Sequence, residues 1–482
     1  MQETEVKLEL TQSGASSLLK KELFDGSPTI VQQKSVYFDT SGRDLDKRGL
    51  SLRIRQCGNE RVQTVTSSDG PPGSSAQEKW QRSVADDIPV LDDPRIEVPL
   101  PATSESLRPV FEIHVKRHRW NVTEGDATIE VALDIGKVVA ADREARLCEI
   151  ELESKAGSPA ALFGLVRKVN LVTPAYIGVL SKAERGYRLV GPAPGAIKAS
   201  VTPLTAETNA ATAFAHLAAA CLKQFRLNEM ALSWSRDADA LHQARVSLRR
   251  LRSLFSIFKS LFADSRFDHM RDELRWLASE LGDARGIDVM IKQATTEELS
   301  SRLQEARSGA YGAVEAAFSS VRARALMIDL AEWISIKDWR RDETDEALLV
   351  QPARRFASKK LDRLWKKVAK GGSGLIDLDD EARHELRISA KKLRYAADFF
   401  GPLYANRKEP KRYKRFITAM EGLQDQLGSL NDLATAPDML SKLDLSDVAG
   451  AEDLFSAADK EKLLHDAAEA HDVFVDTKRF WR

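Results

Sequence analysis

Residues 1–10 read MQETEVKLEL, in which Glu3, Glu5, Lys7 and Glu9 alternate with Thr4, Val6, Leu8 and Leu10. Alternation at period two marks a half-buried strand, here with one apolar face and one wholly charged face. For a single strand the ordinary account is a solvated outer surface. The same parity recurs in CEIELESK (148–155), where Glu149, Glu151, Glu153 and Lys155 share a face, and in ATIEVALDIG (127–136), where Glu130 and Asp134 do. Three such strands predict carboxylates that converge, and these repel one another unless cations sit among them. Oxygen ligands of this kind suit a hard divalent ion, Mg²⁺ or Mn²⁺. Basic residues alternate on other strands, Arg53 with Arg55 in LSLRIRQ and Arg117 with Arg119 in VKRHRW. If these faces close on one another, the lumen has an acidic wall for metal and a basic wall for phosphate.

The pattern from Glu3 to about Tyr187 is that of many short strands, including KSVYFDT, RVQTVTS, EKWQRSV and FEIHVKRHRWNV, with helices expected near 11–23 and 158–168. DGPPGSS (69–75) reads as a hairpin loop. The prolines and glycines of VGPAPGAIKASVTPL mark a linker, placed at 191–204. Beyond it the period changes to 3.6, and LHQARVSLRRLRSLF from Leu241 recurs about 140 residues later as RHELRISAKKLRYAA from Arg383. The expected fold is therefore α+β and multidomain: an N-terminal antiparallel β-barrel (tunnel) with a few helices over 1–190, then a C-terminal all-α duplicated helical bundle over 205–482.

Composition narrows the function classes. With 482 residues the chain exceeds one ordinary core. Its 72 basic and 72 acidic residues cancel, so any polyanion site must be a local cluster. Cys57, Cys148 and Cys221 lie far apart without metal-ligand spacing, which fits a reducing, cytoplasmic setting. The apolar stretch from Ala210 to Leu222 is too short, and too polar at Thr212 and His216, to span a bilayer, so no membrane association is expected. Nucleoside-triphosphate loops, dinucleotide fingerprints, zinc-protease helices and nucleophile elbows are all missing.

In the helical part, His242, Arg245, Arg249 and Arg252 fall on one stripe, and His384, Arg387, Lys391 and Arg394 repeat it. Like charges four residues apart repel, so such a stripe calls for a counter-anion. Phosphate matches the guanidinium fork. Nucleic acid is disfavoured, since the faces lack the aromatic residues that stack on bases. HQARVSLRRLR and HELRISAKKLR, followed by LGDARGIDV (281–289) and LGSLNDLAT (427–435), resemble the two halves of a CHAD domain, which implies polyphosphate binding by these eight residues. One departure is Arg285-Gly286-x-Asp288, where that family usually reads Arg-Asp-x-Asp.

ETEVK, YFDT, LSLRIR, IEVALDIG, CEIELE and SKAERGY, in that order, resemble the signature of CYTH domains, the triphosphate tunnel metalloenzymes. That resemblance implies that Glu3, Glu5, Glu151 and Glu153 hold the divalent metal. Lys7, Arg53, Arg55, Arg117, Arg119, Lys182 and Arg185 would face the triphosphate, and Glu5, Lys7, Arg53 and Arg55 would carry catalysis. A CYTH domain followed by a CHAD domain resembles the bacterial inorganic triphosphatases. Two departures stand out: Thr66 replaces a usual lysine, and Gln77, Lys79 and Gln81 replace a usual arginine and two glutamates. Antiparallel pairing across the 69–75 loop would set Lys79 opposite Thr66, as a substitute phosphate contact. The expected activity is metal-dependent hydrolysis of inorganic triphosphate, longer polyphosphate or a nucleoside triphosphate. The alternatives are a catalytically weakened polyphosphate-binding or targeting protein and, more distantly, an adenylate cyclase.

Overall fold

The structure is a computed structural model that describes residues 4–67, 79–91, 107–192, 195–262, 265–337, 346–404, 409–455 and 457–482. Glu3, the 69–75 loop and Gln77 lie outside the described residues. The chain forms two compact units. One comprises Met1–Ile197 with Ser319–Lys337, the other Lys198–Phe318 with Asp338–Arg482.

The first unit is built on one antiparallel sheet. Its strands are β1 (Glu5–Glu9), β2 (Thr29–Asp39), β3 (Leu50–Cys57), β4 (Glu60–Ser67), β5 (Lys79–Ser83), β6 (Arg108–Glu124), β7 (Ala127–Ala140), β8 (Arg143–Ala156) and β9 (Tyr176–Ile177). Their order is β5-β4-β3-β2-β6-β7-β8-β1-β9. The apolar parity of the central strands is buried: Val6 and Leu8 of β1, Ile129, Val131 and Leu133 of β7, Ile150 and Leu152 of β8. Helices α1 (Gln12–Lys21) and α3 (Pro159–Val172) pack against these strands. Leu162, Phe163, Leu165, Val166 and Val169 of α3 are all but inaccessible, so this layer is a hydrophobic core and the opposite parity is left to the charges. A short α2 (Asp44–Lys47) adds Leu45 to a second core with Val36, Phe38, Leu52, Ile54 and Val65.

The barrel expected from the sequence is not closed. A barrel requires each strand to pair on both sides, whereas β5 and β9 end the order and each has one partner among the described residues. Both edge strands are short among the described residues: β9 is two residues and the described part of β5 is five. The sheet nonetheless curls strongly. Laid flat, β5 and β1 would stand about 34 Å apart, seven strand spacings, yet the Lys79 ammonium of β5 feels the charges of Glu153 on β8 and Glu5 on β1. The charged parity therefore lines a trough. Helix α4 (Lys182–Val190) contacts β6, β7 and β8 on this side, with Tyr187 edge-on to Phe111, which stacks on Tyr37 at 4.5 Å. Its start is fixed by a capping box between Ser181 and Glu184, which sets where Lys182 and Arg185 emerge.

The second unit is helical: α5 (Ala210–Leu232), α6 (Ala238–Phe258), α7 (Ser265–Glu280), α8 (Gly282–Gln293), α9 (Glu297–Ser319), α11 (Glu346–Val350), α12 (Ala353–Gly371), α13 (Asp380–Phe400), α14 (Glu409–Lys442) and α15 (Ala457–Asp476). The duplication is visible in α6 and α13. Both are 21 residues long and both start on an aspartate N-cap, Asp237 and Asp379. They pack on each other, and Phe258 of α6 meets Phe356 of α12 at 4.6 Å and Phe400 of α13 at 5.8 Å. Helix α10 (Val321–Ile336), between α9 and α11 in the chain, belongs instead to the first unit, against α3 and β9. Among the described residues no helix is long and apolar enough to cross a membrane.

Candidate active site and anion-binding face

Strand register places the trough's charges in cross-strand rows. Glu5 pairs with Glu153 and Glu153 with Glu130; Lys7 pairs with Glu151; Glu9 pairs with Glu149 and Glu149 with Asp134, which faces Arg117. Like charges directly opposite one another are destabilising, and the second and third rows are neutralised by cations that reach in. Lys182, carried by α4, lies 2.5 Å from Glu149, 2.9 Å from Glu151 and 2.9 Å from Asp134. Arg117 grips Asp134 with two bonds of 2.7 and 2.6 Å and reaches Glu151 at 2.9 Å. Lys7 adds a contact to Glu151 at 3.2 Å, and Arg185 joins Glu9 at 2.6 Å to Glu149 at 3.4 Å.

Burial would push these carboxyls up, but the cations prevail. The Asp134 carboxyl is held below its ordinary value by the Arg117 hydrogen bonds and the Lys182 charge. Glu151 is held well below by Lys182, Lys7 and Arg117. Burial would likewise lower the Lys182 and Lys7 ammonium groups, yet the facing carboxylates raise both.

The Glu5–Glu153–Glu130 row behaves differently. Burial first, and then Glu151 and Glu153, push the Glu5 carboxyl above the ordinary glutamate value despite Lys7. Glu153 is met by Lys155 at 2.6 Å and Glu130 by Arg119 at 3.8 Å. Across the trough stand Arg53, Arg55 and Lys79. Arg53 Nη1 donates to the Tyr37 hydroxyl at 3.2 Å and its Nε is buried without a partner. None of the three has a carboxylate within salt-bridge distance among the described residues. Burial and the charges of Arg53 and Arg117 bring the Arg55 guanidinium down to about 10. Burial, Arg53 and Arg55 lower the Lys79 ammonium. Lys79 pairs in register with Thr66, and Gln81 of the same strand reaches Thr64 at 3.4 Å.

In the helical unit a second basic cluster gathers both repeats. His242 and Arg245 of α6 feel the charge of Arg285 of α8, and Arg249 of α6 faces Arg387 and Lys391 of α13. Burial, Arg387 and Arg249 drive the Lys391 ammonium down to about 7, and burial with Arg285 and Arg249 drives the His242 imidazole to about 4. Arg249 Nε, Arg285 Nη1 and Arg387 Nε are buried without hydrogen-bond partners. Arg252 continues the stripe towards Arg275. His384 is exposed and bonds Asn431 at 3.1 Å, while Arg394 pairs with Glu421 at 3.3 Å. The stripe expected from the sequence thus supplies part of the cluster, and Arg285 comes from a neighbouring helix that stripe analysis does not reach.

Comparison with known families finds two domain matches along the chain. Residues 1–187 match the CYTH domain, and residues 216–441 match the CHAD domain. The chain is a CYTH domain followed by a CHAD domain. An inorganic triphosphatase of Haemophilus influenzae is 31% identical over 158 residues, which are 32% of this chain and 45% of that protein. The match therefore spans less than half of that relative's length. An uncharacterised protein of Mycobacterium tuberculosis is 24% identical over 409 residues, 77% of this chain and 76% of its own. The crystal structure of the CHAD domain from the plant Ricinus communis matches at 27% identity and a TM-score of 0.50, covering 59% of this chain and 98% of that one.

The CYTH domain offers two acidic groups as metal ligands, and they differ. Oxygens of Asp134, Glu149 and Glu151 all lie within 4.8 Å of one another, but the Lys182 ammonium already sits among them. Glu5 has no cation within salt-bridge distance among the described residues and stands opposite Glu153, which keeps only Lys155, so the two offer hard oxygen donors that fit a divalent ion. Asp134 and Glu151 have folded-state pKa values below the ordinary 3.8 and 4.5. The stability they contribute is thus present above those values and lost as pH falls through the folded ones. Replacing Lys182 by Met strips the cation from a buried carboxylate group and should cost about 3–5 kcal/mol near neutral pH. It also raises those carboxyl pKa values, so the deficit should shrink in melts run at about pH 5 compared with about pH 7. A deficit independent of pH would contradict this account of the trough.

Proposed function

We infer that the CYTH domain hydrolyses inorganic triphosphate in its trough and that the CHAD domain holds longer polyphosphate on its basic face. The observation that carries this reading is the opposition, across one concave surface, of the Glu5–Glu153 pair and the three cations Arg53, Arg55 and Lys79, none of which has a carboxylate partner among the described residues. Arg53 and Arg55 bind the phosphate chain through their forks, and Lys79 adds the point charge that Thr66, opposite it, cannot. Lys7 lies on β1 one row in from Glu5 and bridges to Glu151, so it faces the bound anion from the acidic side. Arg117, Lys182 and Arg185 hold the carboxylate network in place. Glu5 and Glu153 would hold Mg²⁺ or Mn²⁺, which when bound would supply Lewis-acid neutralisation of phosphoryl charge. The trough walls fix substrate and charge in position, which is the larger part of phosphoryl-transfer catalysis.

A second reading has one observation in its favour. The inward residues of the described part of β5 are Lys79, Gln81 and Ser83, without a carboxylate, so this part of the strand adds no acid to the trough. On that reading the trough binds polyphosphate without cleaving it.

Phosphate release from tripolyphosphate by the full chain, with Mg²⁺ or Mn²⁺ titrated in, separates the two. Metal-dependent release is expected, with a loss of roughly a hundredfold or more in Glu5→Ala and in Arg53→Ala. Lys79→Ala should raise KM roughly tenfold or more with a smaller effect on kcat, as loss of a charged contact requires. Equal release by wild type and Glu5→Ala would eliminate the hydrolase reading. Tight binding without release would favour the second.

For the CHAD domain, affinity for long-chain polyphosphate should fall steeply with salt as counterions are released. Because the Lys391 ammonium titrates at about 7, it is charged below that value and binding should tighten as pH falls through it. Lys391→Arg keeps its charge and should flatten that step. Binding unaffected by salt, or by Arg249→Glu with Arg387→Glu, would mean the cluster is ordinary surface.

A further inference from the structure

Helix α10 lies within the span that matches the CHAD domain, yet it packs in the first unit. It is buried along most of its length, with Leu326, Met327, Ile328, Leu330 and Trp333 inaccessible or nearly so. Polar contacts fix its orientation there. Arg167 of α3 binds Asp329 at 2.6 Å and also Glu332. Arg324, itself buried, donates to Asn170 Oδ1 at 2.9 Å and to the Ser319 carbonyl, with its guanidinium 5.8 Å from the Tyr176 ring centre. Asn170 Oδ1 also accepts from the Ala175 backbone at 3.4 Å. Arg324 thus clamps the corner where α3 ends and β9 begins.

What β9 supports is the charged strand. Tyr176 and Ile177 pair with Glu9 and Leu8 of β1, and the Gly178 amide donates to the Lys7 carbonyl at 2.7 Å. The Lys7 side chain lies so close over Gly178 that a Cβ there would meet its Cγ at 2.8 Å. The path from Arg324 to Lys7 therefore consists of direct contacts: guanidinium, Asn170 corner, β9, Gly178, Lys7. β1 is only five residues long, and β9 is its sole neighbour on that side. A short strand held on one side by a two-residue partner has little local stability of its own.

We propose that α10 is a positioning element of the trough, with Arg324 as the positioning residue that fixes β9 against β1 and thereby sets Lys7 and its row. The role in turnover rests on the triphosphatase reading; the mechanical role does not. It follows that the trough is completed by chain lying more than a hundred residues beyond the linker.

The test uses the full chain and hydrogen exchange, read separately over β1 and β9 and over α5 and α6 as a folding control. Arg324→Ala should speed exchange in β9 and β1 by roughly tenfold or more while α5 and α6 keep their protection. Asp329→Arg with Glu332→Arg should do the same, and adding Arg167→Glu should restore protection. In the tripolyphosphate assay the unrescued variants should lose kcat more than they raise KM, and the restored pairing should recover kcat. If β9 and β1 exchange at wild-type rates while α10 itself loosens, the proposal is overturned. Should Arg324→Ala unfold the whole chain, the charge swap decides alone, failure to restore β1 counting against the proposal. Should wild type release no phosphate, the functional reading falls, and the exchange result still decides the role of α10.

Discussion

Three carboxylates, two of them fully buried, cannot share a corner of a sheet without a cation among them, and the arrangement of the CYTH domain follows from meeting that condition with Lys182. Asp134 and Glu149 are fully inaccessible, and register gives neither strand freedom to turn them outward without exposing Leu133, Ile150 and Leu152. The cation arrives on α4, whose start is set by the Ser181–Glu184 capping box and whose Tyr187 is held between Phe111 and the Asp39 carboxylate. With these inner rows paired, Glu5 is left without a cation at salt-bridge distance, and Arg53, Arg55 and Lys79 without a carboxylate, among the described residues.

The CHAD domain is electrostatically simpler. Repetition of one basic helix, packed against its copy through Phe258, Phe356 and Phe400, brings like charges together that isolated helices would keep apart. Packing holds the faces in place against their repulsion, and the depressed Lys391 and Arg245 values record that cost. A polyanion laid on this face would relieve the repulsion.

Much of this was legible in the sequence because period and parity are local. The alternation in MQETEVKLEL, CEIELESK and ATIEVALDIG placed Glu5, Glu151 and Asp134 on one side of the sheet, and the internal repeat placed α6 and α13. Less legible was anything decided by an element that crosses the pattern. Parity cannot say which cation enters which acidic row; the resemblance implies that Lys182 and Arg117 face the triphosphate, and the structure sets both within bonding distance of carboxylates. Closure of the sheet depends on whether its edge strands pair with each other, which alternation does not report. Arg285 reaches the basic cluster from α8, and α10 reaches the sheet from beyond the linker; neither carries a local signal of its destination.

The most direct measurement is a crystal structure of the full chain with Mn²⁺ and a non-hydrolysable triphosphate analogue, using anomalous scattering to place the metal. The account predicts a manganese peak beside Glu5 and Glu153, with the phosphates between it and Arg53, Arg55 and Lys79, and Lys182 still among Asp134, Glu149 and Glu151. A peak within that last trio with Lys182 displaced, or an analogue bound outside the trough, would contradict it.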